Sequence, residues 1–248
     1  MMKLFKYELI KTRASKLIIL GVTALLEVVF LIGLAKMDTD MEMLGASLLL
    51  ILSACAVVWV GIQSVLTLHK DLNTKQSYML FMTPNSNYRI LGAKLLENGL
   101  SILLMGAFFC GLGLLDYSLL MSHHQGLNEL KKLLTEIIRM TVQEISLNPE
   151  AFLALIVYSL TGWLSTVTIA YLAVIISTAL LNGKKGNLVI SFLIFIGLSI
   201  LTGWLLGLVV PKGVSQTVLF LIRSGVELVF TLIIYFFSAR IMERYLSV

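Results

Sequence analysis

Three ionisable residues lie where ionisable residues are costly: Glu27 in one long apolar run, and Arg223 and Glu227 in another. A charged group at the centre of a hydrocarbon layer costs about 2.5–3.5 kcal/mol on insertion scales, so each is expected to have a partner. Arg223 and Glu227 are four residues apart, the spacing at which two side chains on one helix meet. Glu27 falls mid-depth in its own run and could reach Arg223 if the two helices adjoin. Two kinds of chemistry are open to this set: ion pairing that fixes helix register, or a polar step on a substrate's path. It is a poor set for catalysis, which needs a nucleophile, a base or metal ligands converging on one point. Asp116 lies near the outer end of its apolar run, within reach of water.

Other candidate chemistry is sparse. His123 and His124 are adjacent, so they do not share a helical face, and no Cys, Asp or Glu stands at ligand spacing beside them. They suit a solvated turn, and no metal site is expected. Cys55 and Cys110 both fall within apolar runs, where they are expected to pack as small hydrophobes. The nucleophile elbow G-x-S-x-G, the zinc motif H-E-x-x-H and the P-loop are all missing, and "NGKKGN" at 182–187 is a basic turn. The expectation is a chain without catalytic residues and without a cofactor of its own. Any use of ATP would require a partner.

The elements that must carry these residues follow from composition. Hydrophobic residues make up 58% of the chain and charged residues 13%, with a mean hydropathy of +0.94; soluble domains carry about 25% charged residues. Apolar runs at 17–35, 44–68, 98–120, 152–181, 187–209 and 216–239 each approach or exceed the roughly 20 residues that span a bilayer as a helix. A helix is required because the bilayer core offers no water to satisfy backbone amides. The expected fold is therefore an all-α membrane protein of six transmembrane helices, a single transmembrane domain over 1–248. Too little chain remains between the spans for a separate soluble domain of the usual size.

Orientation is read from the lysines and arginines. With the N-terminus inside, thirteen fall on the inner side and five on the outer, with Arg223 within a span. Both termini are therefore expected to be cytoplasmic. The net charge of +5 expresses this topology and shows no basic–aromatic clustering of the kind that binds nucleic acid. Ahead of the first span, "KLFKYELIKTRASKL" sets Leu4, Phe5, Leu9 and Ile10 against Lys3, Lys6, Lys11 and Arg13. Residues 1–16 thus read as an amphipathic helix lying in the lipid interface, with a flexible basic tail as the alternative. The run that follows is too long for a signal peptide, and it carries Glu27.

The inner connection "KDLNTKQSYMLFMTPNSNYRILGAKLL", residues 70–96, holds Tyr78, Met79, Leu80, Phe81 and Met82 between charges and turn formers. Asn73 with Gln76 is a weak capping box, and Pro84 turns Thr83 away from helical geometry. A short helix of two to three turns is expected there. Asn85, Ser86 and Asn87 offer caps for a second helix running from near Tyr88 to about Leu120. Such a helix is roughly 50 Å long, well beyond the ~30 Å hydrocarbon core, so part of it must project inward. An aromatic and methionine knob on a polar-rimmed base has the composition of a protein docking site. The alternative is that the knob tucks against lipid or against the N-terminal segment.

The order of parts resembles the type-2 permease subunits of ATP-binding cassette transporters. These parts are a basic N-terminal helix, two spans, this inner element and four further spans. The likeness is nearest to small bacterial members around "YMLFMTP" and "ILGAKLL", and outside residues 1–16 and 70–96 it is one of topology. In that family the first inner helix between spans two and three is the coupling helix, seated in a groove of the ATPase subunit. The resemblance implies that Asp71, Lys75, Tyr78, Met79, Phe81, Thr83, Pro84 and Arg89 form or support that contact within a coupling region, 70–97. It further implies a partner ATPase that binds ATP and magnesium, a second permease chain, identical or related, and a bacterial plasma-membrane location. The implied function is export, with an antimicrobial or signalling peptide or an amphiphile as cargo. The alternative is a non-transporting membrane scaffold or immunity protein. The family's small outer helices between spans five and six have no counterpart in "PKGVS".

The long outer piece lies instead between spans three and four. In residues 122–150, Leu127, Leu130, Leu134, Ile137, Ile138 and Ile145 recur near a helical period, with Glu129, Lys132, Glu136, Arg139 and Glu144 opposite. That reads as an amphipathic helix of about five turns, lying on the outer leaflet or on neighbouring loops, with capping of the pathway or packing on an accessory protein as alternatives. Ser199, Gly203 and Gly207 form a small-residue ladder permitting close helix approach, and Thr161, Ser165 and Thr168 form a polar stripe; both are expected to pack, with lining a pathway as the alternative.

Overall fold

The computed structural model describes residues 2–73, 86–123, 149–181, 186–209 and 215–245. Among these, every element is helical: α1 (Met2–Lys36), α2 (Thr39–Asn73), α3 (Asn87–His123), α4 (Pro149–Leu181), α5 (Asn187–Val209) and α6 (Gln216–Tyr245). All six are long and apolar enough to cross a membrane. The unbroken helix expected from near Tyr88 is α3, begun by the Ser86 carbonyl, which accepts from the amides of Arg89 at 2.9 Å and Ile90 at 3.2 Å. The short helix expected before Pro84 and most of the outer amphipathic helix lie outside the described residues.

At the N-terminus, residues 2–16 are the opening turns of α1, which runs on for 35 residues without a break. The physical reason is a continuous inward face. Glu8, Thr12, Ile19, Thr23, Phe30 and Leu34 are all buried on it, so packing runs the whole length of the helix. Lys3, Lys6 and Arg13 lie on the exposed side.

The helices form two compact units. One comprises Met2–Gln63 with Glu97–Thr141. Its core is Phe30, Leu34 and Leu49, with Leu26, Ala46 and Leu120 packed against them. Here α1 turns into α2 through two residues. Met37 takes a left-handed conformation (φ 54°), its amide donating to the Leu34 carbonyl at 3.2 Å and that of Asp38 to the Gly33 carbonyl at 3.1 Å. This pair of bonds is the Schellman closure of a helix. Asp38 then caps α2, its Oδ1 accepting from the amides of Asp40 and Met41. So tight a hairpin presses the helices together, and two glycines allow it. A β-carbon on Gly33 would meet the Glu42 nitrogen at 2.8 Å, and one on Gly45 would meet Phe30 Cα at 2.8 Å.

The other unit comprises Ser64–Leu96 and Val142–Val248, with Met1. Its core joins Leu68 and Leu72 of α2 and Ile90 and Leu91 of α3 to Val167, Tyr171, Val174 and Ile175 of α4 and to Ala239 and Met242 of α6. Of the six helices α4 is the most buried and α5 the least. The polar stripe on α4 packs as expected, with Thr161, Ser165 and Thr168 all buried. The ladder on α5 does not: β-carbons on Gly203 and Gly207 would meet nothing within 4 Å. Cys55 and Cys110 likewise sit exposed on α2 and α3 rather than packed. Spacing marks a face that could pack, but only a neighbouring helix makes it do so.

Candidate functional site

Polar contacts in the second unit concentrate where α2 ends and α3 begins. Asp71, two residues before the end of α2, accepts from Lys94 Nζ of α3 at 2.6 Å. Both are shut from water, at 4% and 2% exposure. Asn73, the last residue of α2, joins α4 and α5. Its Nδ2 donates to the His69 carbonyl at 3.0 Å and to Thr178 Oγ1 at 3.3 Å, and its Oδ1 accepts from Asn187 Nδ2 at 2.7 Å. Asn187 also donates to Thr178 Oγ1 at 3.1 Å. Below this triad Ser177 bonds Ser191, and Ser64 bonds Tyr171. On the α6 side, the Tyr235 hydroxyl donates to the Tyr88 carbonyl at 2.6 Å.

The residues that the resemblance assigns to ATPase coupling divide accordingly. Asp71 is buried in the ion pair, where it can brace the site, while Arg89 is exposed on the first turn of α3. Lys75, Tyr78, Met79, Phe81, Thr83 and Pro84 lie outside the described residues.

The intramembrane acids also find neighbours. Glu227 of α6 is buried and accepts from Thr161 Oγ1 of α4 at 3.3 Å, a partner on a second helix. Gly162 makes room for it, since a β-carbon there would meet Glu227 Oε2 at 3.3 Å. Arg223 stands one turn earlier on α6, half-buried. In the first unit the Glu27 carboxyl meets that of Asp116 on α3 within hydrogen-bonding reach. The sequence places Asp116 within reach of water and does not point to Glu27 as its neighbour.

The first unit has its own polar belt on α3. Glu97, 3% exposed, accepts from Thr12 Oγ1 at 2.8 Å and Lys16 Nζ at 2.5 Å, both from α1. Lys16 also reaches Ser101 at 2.5 Å, and Asn98 Nδ2 donates to the Val60 carbonyl of α2 at 3.1 Å. Trp59 Nε1 donates to Ser15 Oγ at 2.8 Å. None of these was singled out from the sequence, although a signal was present. Lys94, Glu97, Asn98 and Ser101 follow the i, i+3, i+4, i+7 spacing of one helical face within an otherwise apolar run.

Among the described residues no group of three or more His, Cys, Asp or Glu could hold a metal ion. What the arrangement can do is tie helix ends together through short, largely buried hydrogen bonds. No protein-family model matches this chain, and neither a curated protein nor a solved structure does.

Proposed function

We propose that this chain is the membrane-spanning permease subunit of a bacterial ATP-binding cassette exporter, with cytoplasmic termini in the plasma membrane. Two such chains, identical or related, pair across the substrate pathway, and each couples to a separate ATPase subunit that binds ATP and magnesium. The cargo is a peptide of the antimicrobial or signalling kind, or an amphiphile. The observation that carries the reading is the length of α2 and α3, 35 and 37 residues. At 1.5 Å per residue these are about 52 and 55 Å long, against a hydrocarbon layer of about 30 Å. Helices of that length can carry the apolar run 78–82 clear of the bilayer, and the Asp71–Lys94 pair braces their ends. ATP shifts such a machine only by its difference in affinity for the inward and outward conformations.

The test is co-purification. The chain, expressed with its native neighbours, is expected to bring down a Walker-motif protein, and Tyr78→Ala with Phe81→Ala to abolish the association while the chain still inserts. If no such protein follows it, and those replacements leave its cellular role intact, the chain is instead a non-transporting scaffold or immunity protein.

A further inference from the structure

The last turn of α2 is gripped from two sides. Successive residues of an α-helix are rotated by about 100°, so Asp71 and Asn73 project about 200° apart, on nearly opposite faces. Asp71 is held by Lys94 of α3, and Asn73 by Thr178 of α4 and Asn187 of α5. One polar contact pins a single point and leaves a helix free to roll about its axis. Two contacts on opposite faces remove that freedom. Stability alone does not account for the ion pair, because an apolar pair of similar volume generally does as well in a buried site. An ion pair adds direction, since a charged hydrogen bond at 2.6 Å is satisfied over a narrow range of rotation.

We infer that Asp71, Lys94, Asn73 and Asn187 are positioning residues that fix the roll of α2 at its end, and with it the heading of the chain as it leaves the helix. The importance of that heading rests on the docking reading above; the roll itself does not.

Electron-electron resonance distances between nitroxides on Lys70→Cys and Leu180→Cys, in a chain with Cys55→Ala and Cys110→Ala, read the roll directly. The pair-containing chain and the conservative Asp71→Glu/Lys94→Arg variant are expected to give one narrow distance. Asp71→Leu/Lys94→Met is expected to keep its thermal midpoint while the distribution doubles in width or splits, and Asn73→Ala is expected to broaden it likewise. Should the apolar double variant melt early, Asn73→Ala carries the test. Distributions as narrow as the parent's in every folded variant overturn the inference. No second protein is present in this measurement, so its failure leaves docking standing. A chain that loses its single distance yet binds no Walker-motif protein sinks docking alone.

Discussion

Glu97 serves two donors on α1 at once, Thr12 and Lys16, from a position 3% exposed. Removing the carboxylate would strand an ammonium that keeps only 18% of its side-chain exposure. Breaking a fully buried pair costs about 3–5 kcal/mol, and the partial exposure of Lys16 lowers this to roughly 2–3 kcal/mol for Glu97→Leu. Glu97→Gln retains an acceptor and is expected to cost about 1 kcal/mol, the value of an ordinary hydrogen bond. Unfolding titrations of the purified chain in mixed micelles measure both; equal losses would mean that the charge contributes nothing there. The same reasoning separates what was legible among the acids. Glu27, Arg223 and Glu227 stand out in sequence because charge is rare in apolar runs. That Asp116 and Thr161 are their neighbours does not, since a side chain's partner depends on which helix lies beside it.

At the scale of the helix, glycines with similar sequence surroundings play different parts. Gly45 lies against the backbone of Phe30, so Gly45→Ala forces α1 and α2 apart and is expected to cost about 1–3 kcal/mol, as overpacking does. Gly203 has open space around it, and Gly203→Ala is expected to gain up to about 1 kcal/mol of helix propensity. Thermal unfolding of the two variants should therefore move in opposite directions; a loss at both would place an unseen neighbour on α5. The α1–α2 hairpin was invisible as a close contact because its glycines, Gly33 and Gly45, lie on different helices and show no repeat. The α5 ladder showed a repeat, but its glycines meet no neighbour among the described residues.

For the whole molecule, six helices each long and apolar enough to cross a membrane would, crossing in succession, place the α1–α2 and α2–α3 connections on opposite faces. Met37 and Arg89 are both exposed near those connections. In a chain with Cys55→Ala and Cys110→Ala, a membrane-impermeant maleimide applied to intact cells is expected to label Met37→Cys. Arg89→Cys should react only after permeabilisation, as the inner excess of lysine and arginine requires. Labelling of both from one side would mean that α2 does not cross, and the docking reading would fall with it.

Hydrophobic run length by itself determined six helices long enough to span and the extended third helix, because a backbone in hydrocarbon has only one local way to satisfy its amides. Local chemistry also marked Ser86 among the caps of α3. Tertiary structure alone decided that residues 2–16 join α1, that Glu27 faces Asp116, and that Asp71 is buried against Lys94. The two pairings depend on which helices lie side by side. Periodicity along one helix records which face is apolar, and it holds no information about the helix that will cover it.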